Sequence, residues 1–142
     1  LAPATGETVF GYDNHLGWHD QGDGKWWVGV HILSGRVADG KMGTIRTGLR
    51  EIIKKYRPTI RITAQQNVLL CDIAPAQRHE IEAELTKHGM GTGRALGNLV
   101  QDTLACVSMP TCGLALAESE RALPDILQIV ESEIVKVGLG DG

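Results

Sequence analysis

Between Thr44 and Tyr56 the sequence carries one apolar stripe, and that stripe constrains the fold more than any other feature. Ile45, Leu49, Ile52, Ile53 and Tyr56 stand at i, i+4, i+7, i+8 and i+11, which places them on one face of a helix. Thr44 is placed to cap its start, Lys54, Lys55 and Arg57 suit its C-terminal dipole, and Pro58 stops it. A helix with one greasy face needs a layer to lie on, and the flanking segments supply strands. Lys25–Leu33 reads as a strand covered on both sides, turning at Ser34-Gly35 into Arg36-Val37-Ala38. After the helix, 60–63 and 68–72 read as two strands joined through Ala64-Gln65-Gln66-Asn67. A second helix starts at Pro75, shows Ile81, Leu85 and His88 on one face, and ends at Gly89. The order strand, helix, strand, strand, helix is most of a ferredoxin-like split βαβ unit, an α+β fold.

The rest of the chain is less periodic. Leu1–Gly11 reads as a connecting segment and Tyr12–Gly24 as turn-rich loops. Met90–Asn98 is a glycine-rich linker, which predicts one unit over residues 1–90 and a second over 91–142. Its Gly91-Thr92-Gly93-Arg94-Ala95-Leu96-Gly97 superficially resembles a dinucleotide loop, but it follows a charged amphipathic helix rather than a buried strand, so that reading fails. Leu99–Val107 reads as a strand, and Pro124 opens a last helix with Leu127, Val130, Ile134 and Val137 on its buried face.

Composition narrows the function classes. A net charge of −3 without any Lys/Arg block excludes nucleic acid as a natural partner. The apolar runs are too short and interrupted to span a bilayer, so no membrane role is expected. Three cysteines without framework spacing suit a reducing compartment, cytoplasm or plastid, better than secretion.

Four features invite chemistry. Cys106 and Cys112 lie six apart around a proline-containing turn, and the Ala/Leu/Glu-rich run after Cys112 predicts a helix whose N-terminus would favour a thiolate. The spacing alone leaves two readings open, metal ligands or two unrelated buried cysteines. Arg61, Thr63, Gln65 and Asn67 alternate onto one face of an extended chain, either an anion- or cofactor-binding face or a solvated one. His15 and His19 are four apart, but Gly17 and loop signals oppose a helix there, and surface or hydrogen-bonded roles fit better than zinc. Cys71 ends an apolar run and reads as a small core residue.

Longer strings carry more information than these spacings. Ala105-Cys106-Val107-Ser108-Met109-Pro110-Thr111-Cys112-Gly113-Leu114-Ala115-Leu116-Ala117-Glu118-Ser119-Glu120-Arg121 resembles the first cluster-binding segment of the sulfite and nitrite reductase haemoprotein family. Gly17-Trp18-His19-Asp20-Gln21-Gly22-Asp23-Gly24-Lys25 resembles the Gly-Trp-His-Glu-Gln-Gly-Asp-Gly-Lys stretch of its ferredoxin-dependent sulfite reductases. Ser34-Gly35-Arg36-Val37 and the run from Arg61 to Ile73 are similar to its second half-domain. Nitrite-type members usually place Gly-Asn-Gln-Phe between the cysteines, whereas this chain has Ser108-Met109-Pro110-Thr111, the sulfite-type version.

The resemblance implies a ferredoxin-like half-domain followed by the start of the cluster and sirohaem domain. It implies Cys106 and Cys112 as two thiolate ligands of a [4Fe-4S] cluster, and Arg61, Gln66 and Asn67 as residues lining the sirohaem site. The family's other two cluster cysteines come from a Gly-Cys-Pro-Asn-Gly-Cys motif that does not occur by Gly142, and the basic residues that clamp sulfite belong to segments before Leu1. The chain is therefore expected to be an internal fragment of an assimilatory sulfite reductase, an oxidoreductase of sulfur assimilation that takes electrons from ferredoxin and reduces sulfite to sulfide. No catalytic residue is assigned within it. Alone it is expected to be inactive, to lack its cofactors and to self-associate. A nitrite reductase of the same cofactor type and a non-enzymatic ferredoxin-like ligand-binding module are the alternatives.

Overall fold

The computed structural model describes residues 14–40, 43–92 and 97–138. The opening segment through Asp13, the far end of the last segment and Gly93–Leu96 of the glycine-rich linker lie outside the described residues. Four strands form one antiparallel sheet: β1 (Gly17–Asp20), β2 (Trp26–Val30), β5 (Thr59–Ile62) and β6 (Val68–Ile73), in the order β1-β2-β6-β5. A two-residue ladder of β3 (Asp39–Gly40) and β4 (Gly43–Thr44) stands apart. The helices are α1 (Ile45–Tyr56), α2 (Arg78–Lys87), the short α3 (Asn98–Asp102) and α4 (Leu123–Lys136). Because β2 and β5 both run antiparallel to β6 between them, β2-α1-β5 is a crossover that skips one strand, the split βαβ arrangement of an α+β ferredoxin-like half-domain.

Strand register sorts the side chains. Val28 pairs with Leu70 and Val30 with Val68, all on the face that α1 and α2 cover. There they meet Leu49 and Ile52 of α1, Ile81 and Leu85 of α2, and Ile32, Ile73 and Met90 in one buried cluster. Removing each Leu or Ile of this cluster from water contributes about 1.5–3 kcal/mol. The apolar stripe of α1 is therefore what seats the helix. Its start is capped differently from the sequence expectation. The carboxylate of Asp39 accepts the Thr47 backbone N–H (3.0 Å) and hydroxyl (2.8 Å), while the Thr44 hydroxyl pairs with His88 Nδ1 instead. At the other end Arg57 turns left-handed before Pro58 and its N–H returns to Ile53 O at 3.0 Å.

Several expectations are corrected. Gly17–Asp20, read as loop, is the edge strand β1, paired in register from Gly17↔Gly29 to Asp20↔Trp26. Gly29 makes this possible: a Cβ there would sit 1.7 Å from His15 O, so only glycine admits the incoming chain. Ser34-Gly35 belongs to a single 3₁₀ turn (Leu33–Gly35) rather than a hairpin, and Arg36-Val37-Ala38 forms no strand. Leu99–Val107, read as a strand, begins inside the short helix α3 and continues without a ladder partner.

The helix expected after Cys112 is also absent. Residues 113–122 are turns and irregular chain, and helix resumes only at Leu123. Its would-be apolar face explains why, since Leu114 and Leu116 are 92% and 98% exposed among the described residues. Good helix formers in a short run do not hold a helix without tertiary contact. Of the four residues expected on the buried face of α4, Leu127 is buried and Ile134 half-buried, whereas Val130 and Val137 are exposed.

Candidate functional site

The hairpin turn between β5 and β6 holds the predicted polar residues, and it breaks their alternation. Thr63 N–H donates to Asn67 O (3.0 Å), and Asn67 N–H donates back to Thr63 Oγ1 (3.2 Å). The extended face predicted over Arg61, Thr63, Gln65 and Asn67 therefore ends at Ile62, and these side chains separate. Arg61 pairs across the sheet with Leu69 on the face opposite the helices. There it lines a shallow groove of about 280 Å³ with Trp27, Leu69, Cys71, Gln21 and Asp72. Burial pushes the Cys71 thiol pKa up, and the nearby Arg61 guanidinium pulls against that shift. His19 stacks on Trp27 along the same strand pair, with centroids 4.0 Å apart, and its Nε2 bonds to Leu16 O.

Asn67 points the other way. It is 1% exposed, and its Oδ1 accepts the Ile32 backbone N–H at 3.1 Å, fixing the end of the β2 strand to the hairpin turn. Gln66 lies between the two. Its backbone is left-handed (φ 63°), its Cβ packs where a Cβ on Gly35 would come within 3.1 Å, and its amide reaches Ala105 O at 3.5 Å. Gln66 is thus the predicted residue that the structure joins to the cysteine segment.

A second tie reinforces that junction. Arg36, just past the 3₁₀ turn, binds Glu120 with two parallel contacts, Nε to Oε1 and Nη2 to Oε2, the latter at 2.6 Å. The Glu120 side chain is buried, and a forked Arg–carboxylate pair fixes orientation as well as distance. Within the cysteine segment, Ser108 Oγ donates to Ala117 O, Cys112 N–H donates to Ser108 O (2.7 Å), and Arg121 donates to Met109 O (3.1 Å). These bonds fold 108–121 into a compact loop that leaves Cys106 exposed and Cys112 half-exposed, both as free thiols. Cys112 is held by this loop, not by a helix N-terminus.

Three buried polar atoms at the junction have no hydrogen-bond partner: Ser34 Oγ, Gln66 Oε1 and Asn67 Nδ2. Native proteins rarely leave such atoms unpaired, at about 1–3 kcal/mol each. They lie where the 3₁₀ turn and the β5–β6 turn meet, next to the segment that carries the cysteines. Sequence reasoning missed Ser34, because its left-handed backbone (φ 51°) hides inside an ordinary Ser-Gly turn signal. It also missed the Arg36–Glu120 fork, whose partners are 84 residues apart. The donor chemistry fits the implied groups in part: two accessible soft thiols suit iron, and amide, hydroxyl and guanidinium groups suit a carboxylate-rich macrocycle.

Comparison with known proteins agrees with this architecture. The family model for the nitrite/sulfite reductase ferredoxin-like half domain matches residues 19–88. The chain is 40% identical over 141 residues to sulfite reductase (ferredoxin) of Synechococcus elongatus, covering 99% of this chain and 23% of that protein. It is 39% identical over 141 residues to the sulfite reductase (NADPH) hemoprotein beta-component of Afipia carboxidovorans, covering 99% of this chain and 24% of that protein. The chain thus spans under a quarter of the length of these curated relatives. The solved structure of the Mycobacterium tuberculosis NirA protein superimposes with a TM-score of 0.74 at 25% identity, over 91% of this chain and 23% of that one.

Proposed function

The chain belongs to the sulfite/nitrite reductase ferredoxin-like haemoprotein family, and from that premise we propose that it forms part of a ferredoxin-dependent sulfite reductase. In this reading residues 1–90 are the half-domain, and 91–142 begin the domain that carries the [4Fe-4S] cluster and sirohaem. The observation that carries the reading is the junction: the cysteine segment is tied to the half-domain by Arg36–Glu120 and Gln66–Ala105, and it leaves the Cys106 and Cys112 thiols free. Sulfite is favoured over nitrite as substrate by the names of both relatives and by Ser108-Met109-Pro110-Thr111 between the cysteines.

Cys106 and Cys112 would each hold one iron of the cluster as a thiolate. Gln66, at the junction with the cysteine segment, would line the sirohaem site directly, Asn67 and Ser34 would hold the two turns behind it, and Arg61 would offer a positive charge to the macrocycle's carboxylates. When bound, these cofactors supply the electron transfer for six-electron reduction of sulfite to sulfide, which side chains cannot provide. What the chain contributes is ligation, orientation and exclusion of water. The Arg36–Glu120 fork keeps the thiols in register with the half-domain as one rigid wall.

The test uses the complete reductase that this reading requires. Cys106→Ser or Cys112→Ser is expected to lose cluster iron and bring sulfite reduction to background, with the circular dichroism of the fold retained. A variant with full iron and full turnover overturns the ligand assignment. Arg61→Ala and Gln66→Ala are expected to keep cluster iron while sirohaem binding weakens by about 1.5–3 kcal/mol. Unchanged sirohaem occupancy in both would reduce that face to a solvated sheet surface.

A further inference from the structure

His88 closes α2, and its imidazole is fixed from three sides. Its ring Nδ1 pairs with Thr44 Oγ1 at 2.7 Å, and its backbone carbonyl accepts the Thr44 N–H at 3.1 Å. The ring lies against α1 at Gly48, where a Cβ would come within 2.4 Å of His88 Cγ. The residue is only 7% exposed, and its Nε2 has no hydrogen-bond partner. That nitrogen faces two carboxylates: Glu51 Oε2 of α1 at 3.3 Å and Glu84 Oε2 of α2 at 3.8 Å.

We propose that His88, Glu51 and Glu84 form a site for a first-row divalent cation, one imidazole nitrogen and two carboxylate oxygens, with zinc as the natural probe. In the tautomer whose Nδ1 proton Thr44 Oγ1 accepts, Nε2 presents a lone pair toward the two carboxylates, and a cation between them would engage all three groups. An oriented imidazole whose other nitrogen is engaged by a neighbour is also what a metal-binding histidine needs. The spans fit. Ligands about 2.0–2.2 Å from a tetrahedral zinc lie about 3.3–3.6 Å apart. The candidate ligand atoms already lie within 4.8 Å of one another. Glu84 and His88 are four apart, so α2 presents both on one face, and α1 brings Glu51 across from them.

Lys87 is the competitor. Its ammonium stands 3.0 Å from Glu84 Oε2 and 4.0 Å from Glu51 Oε2, and it lowers the Glu84 carboxyl pKa, chiefly through its hydrogen bond. It is an exposed side chain that balances the carboxylates and leaves the nitrogen without a hydrogen-bond partner. A divalent ion would meet all three groups at once, in a layer the proposed cofactors do not use.

The experiment titrates zinc into the 142-residue chain carrying Cys106→Ser and Cys112→Ser, which removes the accessible thiols. One zinc per chain is expected, with the His88 Nε2 resonance moving in ¹⁵N spectra. Glu51→Gln and Glu84→Gln should each weaken binding at least about tenfold, and Thr44→Val about tenfold through the lost orientation of the ring. Lys87→Met should tighten it. The glutamates are at the surface, so these variants fold even if His88→Gln does not. The proposal falls if no zinc binds, if the resonance that moves belongs to His15 or His19, or if the double glutamine variant binds as well as its parent.

Discussion

Asp72 shows how a single exposed residue ties a sheet edge together and gives stability a pH dependence. Its backbone is left-handed (φ 62°), a conformation that Asp and Asn tolerate better than most residues, and it sits where the β2–β6 register shifts. Hydrogen bonds from the side chains of Thr59, Gln21 and Lys25 hold its carboxyl down at about 2. Gln21 is bound twice, its amide donating to Asp72 Oδ1 (2.9 Å) and its carbonyl accepting the Asp72 N–H (3.0 Å). In the unfolded chain the same carboxyl titrates near about 3.9. The folded form therefore binds its proton less readily. The contribution to stability is complete above pH about 4 and is lost as the pH falls from about 4 to about 2. Asp72→Asn keeps the left-handed backbone and removes the titration. Urea midpoints measured from pH 5 to 2 should fall less steeply in the variant, while Glu80, Glu84, Glu118 and Asp39, which are also depressed, supply the remaining slope. Identical slopes in variant and parent would show that the Gln21 and Lys25 contacts form equally in the unfolded chain.

At the scale of elements, α1 illustrates which parts of the structure can be read from local pattern. Its stripe, its stop at Pro58 and its position before two strands are periodic or covalent signals, and all three appear in the fold. Gly48 is different. In a helix interior, Gly→Ala ordinarily stabilises by about 0.5–1 kcal/mol. Here the added Cβ would meet His88 Cγ at 2.4 Å and Met90 Cε at 2.7 Å, so the sign should reverse to a loss of about 1–3 kcal/mol. Thermal or urea denaturation of Gly48→Ala checks this, and a stabilised variant would mean that the α1–α2 junction is loose. The same reason limited the reading elsewhere. Strand β1 is glycine- and loop-rich in sequence and exists because Gly29 lets it approach, a fact about a partner strand. The chain after Cys112 has helical composition but lacks a surface to lie on. The polar cluster of Ser34, Gln66 and Asn67 depends on two turns meeting, and the Arg36–Glu120 fork on residues far apart in sequence. Only resemblance to longer family strings pointed to Gln66 and to the cysteines, since a six-residue spacing alone left both readings open.

For the whole molecule, the chain has an apolar surface that its described residues do not cover. Leu114 and Leu116 stand in solvent, as do Ile126, Ile129 and Val135 along α4 and Val137 just past its end, and no described helix is long and apolar enough to place them in a membrane. Such a surface favours association. The chain has three cysteines, of which Cys71 is buried within the sheet. A [4Fe-4S] cluster takes four thiolates, so one chain cannot complete it. Iron affinity falls steeply when ligands are missing, because the exposed metal keeps water in the open positions. The 142-residue chain, purified without oxygen and offered iron and sulfide, should therefore hold no cluster as a monomer. Two chains together present two copies of Cys106 and of Cys112. If α4 and the Leu114–Leu116 loop bring copies together, iron should appear only in the dimer, at about half a cluster per chain. Bound iron, the visible spectrum and sedimentation measured on the same sample distinguish these states. Four irons per chain in a monomer would overturn the assignment of Cys106 and Cys112 as half of a shared site, because the remaining ligands would then have to come from this chain alone.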